Sequence, residues 1–173
     1  SVFILFALGA VWAAPEGGTR PDESPLQITS SVFSVMKHFS RSVLPPVSTG
    51  TRAIEARIDI CFPELTCRTG ENPAVVAINK AIQNRVLAMV AGQAPATVEQ
   101  LMESFGKAYE RSLKEAPELP GAWALKFAST IRHADEELLC LKVLQSVFNG
   151  GAHPTSSVAF LVFSMKTGAL LPL

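Results

Sequence analysis

The sequence predicts an α+β domain in which an antiparallel sheet carries two helices packed on one face. Three observations lead there. Apolar and polar residues alternate from 54 to 62, the apolar spacing lengthens to three and four between 75 and 113, and beyond Pro120 the period returns to two. A strand, two helices and then consecutive strands make two packed layers.

Composition sets the frame. Of 173 residues, 48% are apolar, enough for one core rather than two. Fifteen Lys plus Arg balance fifteen Asp plus Glu, and the charged fraction of 17% gives no ground for charge-driven disorder. A chain without net positive charge has no electrostatic footprint for a phosphate backbone, so nucleic acid is excluded as the expected partner.

Ser1 to Ala14 contain two residues outside the apolar set, Ser1 and Gly9, and stop at Pro15-Glu16-Gly17-Gly18. This has the form of a secretory h-region, with Val11-Trp12-Ala13 supplying a cleavage site after Ala13. No initiator Met or basic n-region precedes it, so residues 1–14 read as a partial signal peptide, cleaved or retained as an anchor. The other reading is a buried apolar segment of the fold. An exported protein, periplasmic or extracellular, is the expectation. Residues 15–27 are rich in Pro, Gly and polar side chains and read as a linker, leaving 28–173 as a single domain truncated at its C-terminus.

Within that domain, Val32, Val35, Met36 and Phe39 suit a strand or a short helix, ended by Pro45-Pro46. Ile54, Ala56, Ile58, Ile60 and Phe62 form the buried side of a strand that Pro63 is expected to stop. Asn72 before Pro73 marks a helix start, and Val75, Ile78, Ile82, Val86 and Met89 draw one apolar stripe down that helix, which Gly92 closes. A second helix starts at Thr97, with Gln100 at capping-box spacing and Leu101, Phe105 and Tyr109 on one face, and ends before Pro117. Trp123 to Ile131, Leu138 to Phe148 and Ser157 to Met165 then make a meander, with a last strand begun at 169–173.

Reactive residues are sparse. Cys61 and Cys67 flank Pro63, and both a local disulfide, favoured by export, and two free thiols fit; Cys140 reads as a half-buried thiol. His38, His133 and His153 show no helical pair spacing, so no metal site, catalytic residue or cofactor is assigned. Asp135-Glu136-Glu137 read as a solvated turn. His153 follows Gly150-Gly151 in a loop between strands, where positive φ is available, and reads as part of a structural turn.

Several short stretches carry a resemblance. Ile60-Cys61-Phe62-Pro63-Glu64-Leu65 is similar to the strand-ending aromatic-Pro element of a family of bacterial envelope domains, Ile78-Asn79 to its helix signature, and Gly150-Gly151-Ala152-His153-Pro154 to its Gly-Gly-Ala-His loop. Phe163 to Gly168, followed by Leu170 and Leu173, resembles the strand-turn-strand beyond that loop. The family includes the extracellular, lysozyme-binding part of the RsiV-type anti-sigma factor and the accessory domain of a peptidoglycan deacetylase. Over residues 51–173 the resemblance implies an envelope domain in which Gly150, Gly151 and His153 are a structural or binding motif. The family loop has Gly after His where this chain has Pro154, which fixes φ and removes a donor.

The function expected from these readings is an exported, non-catalytic binding or sensing module that recognises a lysozyme-like protein or peptidoglycan. The competing readings are a glycan-modifying hydrolase built from His153, His133 and the Asp135–Glu137 cluster, and a secreted lysozyme inhibitor. The hydrolase requires His153 to meet a carboxylate in a deep cleft.

Overall fold

A computed structural model of the chain describes residues 26–44, 55–89, 95–115 and 122–172. The expected signal segment and most of the expected linker lie outside them, as does position 54. Leu26–Gln27, at the end of the expected linker, pair with Ser34 and Phe33 as β1.

Among the described residues, seven strands form one sheet whose spatial order is the order of the sequence, β1 to β7. After β1 come β2 (Val32–Val43), β3 (Ala56–Cys67), β4 (Trp123–Ala134), β5 (Leu138–Asn149), β6 (Thr155–Ser164) and β7 (Leu170–Leu171), with α1 (Pro73–Leu87) and α2 (Val98–Glu115) between β3 and β4. The α+β architecture follows the sequence, with one departure. Strand β3 runs parallel to β4, Ala56 opposite Trp123 through Cys61 opposite Ala128, because the two helices return the chain to the end of the sheet where β3 began. Every other neighbouring pair is antiparallel.

Pro63 does not stop β3. The strand pairs with β2 as far as Cys67 opposite Val32. Two residues beyond the proline, the Leu65 N–H points away from β2, toward α1. The Pro63 nitrogen therefore faces the same way, where β4 has already left after Cys61, and its missing donor costs no ladder bond.

Helix α1 starts as its sequence dictates. The Asn72 side chain accepts from the N–H groups of Ala74 and Val75, with Pro73 in the first turn. Thr97 Oγ1 caps α2 by accepting from Gln100 N–H at 3.2 Å, while the Gln100 side chain accepts from Ala96 N–H at 3.0 Å. The apolar stripes of both helices cover one face of the sheet, where Ile58, Ile60, Phe127, Leu139, Leu141 and Phe163 are each almost wholly buried with Ile78, Ile82, Leu101 and Tyr109. Trp123 ties α2 to the start of β4, its ring 5.6 Å from Phe105 and 5.7 Å from Tyr109. The opposite face carries no helix among the described residues. No described helix is long and apolar enough to cross a membrane.

Two small residues fix how closely elements approach. A Cβ on Gly168 would lie 2.5 Å from the Ala74 carbonyl oxygen and 2.8 Å from Ala77 Cβ, so the β6–β7 turn sits directly against the first turns of α1, with Gly168 at φ 74°. Gly106 brings α2 to the end of β2, where a Cβ would stand 3.3 Å from Val43 Cγ2.

Candidate functional site

The residues that the sequence singled out are held apart. Gly150, Gly151 and His153 lie exposed in the β5–β6 loop, Gly150 at φ 80°. That loop adjoins the end of the sheet where Asn149 faces Trp123. His133 is at the far end, beyond the irregularity between Ile131 and His133, and His38 lies on β2. The meeting of His153 with a carboxylate in a deep cleft, which the hydrolase reading required, does not occur among the described residues. No cluster of three or more metal-ligating side chains forms among them either.

The cysteines give a correction. None of Cys61, Cys67 and Cys140 is joined in a disulfide, so Cys61 and Cys67 do not form the local disulfide considered from the sequence. Both sit on β3, and six residues of extended strand separate their Cα atoms by about 20 Å. A disulfide needs less than about 7 Å. A strand stopped at Pro63 would have let the chain fold them together; the continued strand keeps them apart. The Cys67 thiol lies 3.3 Å from Thr69 Oγ1, and this hydrogen bond, with a backbone bond from Thr69, lowers its pKa.

Two groups of polar side chains are organised. At the turn after β4, Asp135 Oδ1 accepts from the N–H groups of Glu137 and Leu138, both at 2.8 Å, and its Oδ2 lies 2.8 Å from His133 Nε2. The backbone bonds from Leu138 and Glu137, then the imidazole, hold its pKa down to about 2. Beside it Lys166 Nζ donates to Glu137 Oε1 at 2.9 Å, joining the β4–β5 turn to the β6–β7 turn. These groups are exposed, and their bonds serve the two turns.

The second group lines a groove. A cavity of about 180 Å³ lies where β2 and β3 meet α1 and the start of α2, bounded by Lys37, Phe39, Phe62, Glu64, Gln83 and Glu99. Phe39 and Phe62 stack with centroids 6.0 Å apart, and Lys37 Nζ reaches Glu64 Oε2 at 2.9 Å. Asn79 sets the groove's inner wall. Its Oδ1 accepts from Leu65 N–H at 2.9 Å and its Nδ2 donates to the Leu65 carbonyl at 2.8 Å, so one side-chain amide replaces the strand that β4 no longer provides. Gln83, one helical turn on, is exposed at the rim with Glu99. Sequence reading marked Asn79 as part of a motif but not the groove, because Lys37, Glu64 and Gln83 belong to three elements that only the tertiary fold unites.

No family model and no curated protein matches the chain. Among solved structures it is similar to a DUF3298 family protein from Bacteroides fragilis, at 16% identity and a TM-score of 0.61, covering 81% of this chain. It is also similar to a DUF3298 family protein from Pseudomonas aeruginosa, at 18% identity and a TM-score of 0.48, covering 79% of this chain. The chain spans 58% and 54% of the lengths of those two. What it shares with the Bacteroides protein of this family, a family of unknown function, is therefore its fold.

Proposed function

We propose that the domain is an exported binding module of the bacterial cell envelope that recognises a cell-wall glycan without transforming it. The observation that carries this reading is the groove between β2–β3 and the helices. It combines an aromatic floor, Phe39 and Phe62, with a primary amide, a carboxylate and the Lys37–Glu64 ion pair within one small concavity. Sugars offer an apolar C–H face and a ring of hydroxyls, and a site with an apolar floor and a few convergent polar groups matches both. At about 180 Å³ the cavity has room for one sugar ring at most. The similarity of the Phe62-Pro63, Ile78-Asn79 and Gly150–Pro154 stretches to the RsiV-type envelope domains supports the setting, and the apolar segment Ser1–Ala14 supports export.

A lysozyme-like protein as ligand is the second reading, favoured by the exposed β5–β6 loop with Gly150, Gly151 and His153, which projects beyond the sheet's end. Titrating the protein with soluble peptidoglycan fragments and with lysozyme, by calorimetry and by amide shifts, tests both. Fragment binding weakened about tenfold by Gln83→Ala and unchanged by His153→Ala is expected, an effect of about 1.4 kcal/mol. No fragment binding at millimolar concentration overturns the glycan reading. Lysozyme binding lost in His153→Ala would install the second in its place, and fragment cleavage would show an enzyme.

A further inference from the structure

The charges around the groove between β2–β3 and the helices do not balance. Among the described residues that line it, Lys37, Glu64 and Glu99 are the charged ones. Lys37 Nζ is held by Glu64 Oε2 at 2.9 Å, so these two present no net charge to a ligand. Glu99 is left over. It stands in the first turn of α2, but that helix end is already served, because Thr97 Oγ1 accepts from Gln100 N–H and the Gln100 side chain accepts from Ala96 N–H. Glu103, one helical turn on, is taken by Lys107. Among the described residues, nothing forms an ion pair or a hydrogen bond with the Glu99 carboxylate.

The rest of the lining restricts what can answer that charge. Phe39, Phe62, Pro63 and Val98 offer apolar surface. Asn79 spends its amide on Leu65, which leaves Gln83 as the uncharged polar side chain of the lining available to a ligand, among the described residues. A molecule filling about 180 Å³ strips water from Glu99, and a carboxylate that loses hydration needs a strong donor in its place. A carboxylate-bearing ligand is repelled, and a neutral one compensates only in part through its hydroxyls. An ammonium group restores the balance with a charge-assisted hydrogen bond.

Given the glycan reading, on which this rests, we propose that the groove selects a single sugar ring bearing a free ammonium group, a hexosamine in preference to its N-acetylated or carboxylated relatives. The C–H face of the ring lies on Phe39 and Phe62, the ammonium meets Glu99, and a hydroxyl reaches Gln83. An alkylammonium, as on a lysine side chain, carries the same charge but has neither a flat face for the aromatic pair nor a ring of hydroxyls for Gln83. Glu99 is exposed at the rim, so its pairing with the ammonium has the size of a surface ion pair and fades with salt. The preference for the amine over the acetamide is about fivefold at low ionic strength.

Amide shifts of the full chain test this, in titrations at about pH 6, where a sugar amine is charged, with the methyl glycosides of glucosamine, N-acetylglucosamine and glucuronic acid and with butylamine. The glucosaminide is expected to bind tightest, the N-acetyl form about fivefold more weakly, the glucuronide more weakly still, and butylamine weakest. Glu99→Gln should erase the difference between the first two, and Glu103→Gln, whose carboxylate is not part of the lining, should preserve it. An N-acetyl form that binds as tightly as the amine, a preference that survives Glu99→Gln, or one lost equally in Glu103→Gln would overturn the selectivity while leaving the glycan reading in place. Butylamine binding as tightly as the glucosaminide would overturn the sugar as the source of the ammonium. Absence of binding by every sugar at millimolar concentration would remove the glycan reading and the selectivity together.

Discussion

Replacing Asn79 with alanine removes two hydrogen bonds at once, and the structure fixes what remains. The bonds to Leu65 measure 2.9 and 2.8 Å, and the Leu65 residue is 2% exposed at a point where β3 has no strand on its α1 side. Two ordinary bonds contribute about 1 kcal/mol each, and a buried peptide group left unpaired adds its desolvation cost, so Asn79→Ala should lose about 2–4 kcal/mol. Urea unfolding should show this as a lower midpoint at constant m-value, and thermal melting as a fall of about 4–16 °C. Asn79→Asp sharpens the test. It preserves shape and the acceptor for Leu65 N–H but turns the donor into an oxygen facing the Leu65 carbonyl. Ionisation of the introduced carboxyl is disfavoured in the folded state, so its folded pKa rises above the unfolded value. The variant should therefore be nearest wild-type stability at low pH, where the carboxyl is protonated and can donate, and fall below it as pH rises through the carboxylate range. A loss under about 0.5 kcal/mol in Asn79→Ala, or Asn79→Asp tracking the wild type at every pH, would refute the reasoning.

The remaining predictions rest on separate features. Gly168→Ala must strain φ and displace α1, costing about 2–4 kcal/mol, whereas Gly70→Ala, at φ 110° with nothing within 4 Å, should cost about 1 kcal/mol by chemical denaturation. Asp135, held down to about 2, contributes stability that is present above its unfolded pKa and lost as pH falls through that window. A carboxyl NMR titration should show the low midpoint, and Asp135→Asn should flatten the acid limb of stability; a midpoint near 4 would contradict the turn geometry. Thiol titration of the unreduced, unfolded protein should return three thiols, none of them in a disulfide, and reductant should leave the melting temperature unchanged. Ser129, 1% exposed with its Oγ unbonded among the described residues, should tolerate alanine with no loss or a gain of about 1 kcal/mol; a marked loss would reveal a partner for the hydroxyl.

The fold was legible where local rules decide it. Alternation at Ile58 and Ile60, the Asn72-Pro73 helix start and the stripe through Ile78 and Ile82 each state a structure without help from distant residues. Pro63 was misread for a tertiary reason. A proline breaks a ladder only where its nitrogen faces a neighbouring strand, and which side it faces depends on where β4 ends. The disulfide considered from the spacing of Cys61 and Cys67 failed with it. The parallel pairing of β3 and β4 was likewise beyond local pattern, since a two-helix excursion can return a chain to either end of a sheet. At the site level, the conspicuous Gly-Gly-Ala-His stretch became an exposed loop, while the groove drew on Lys37, Glu64 and Gln83, each unremarkable in its own segment.

The single parallel pairing has a consequence for how the molecule comes together. Every other pair of partners in the sheet is joined by a connection of at most twelve residues, so each can zip from its own connection at smaller entropic cost. Ala56–Cys61 and Trp123–Ala128 instead meet across more than sixty intervening residues, and they do so beneath both helices. That encounter is the long-range contact on which assembly waits. That one ladder joins β1–β3 to β4–β7, and the core cluster draws side chains from both sides of it, so neither part can complete its burial without the other.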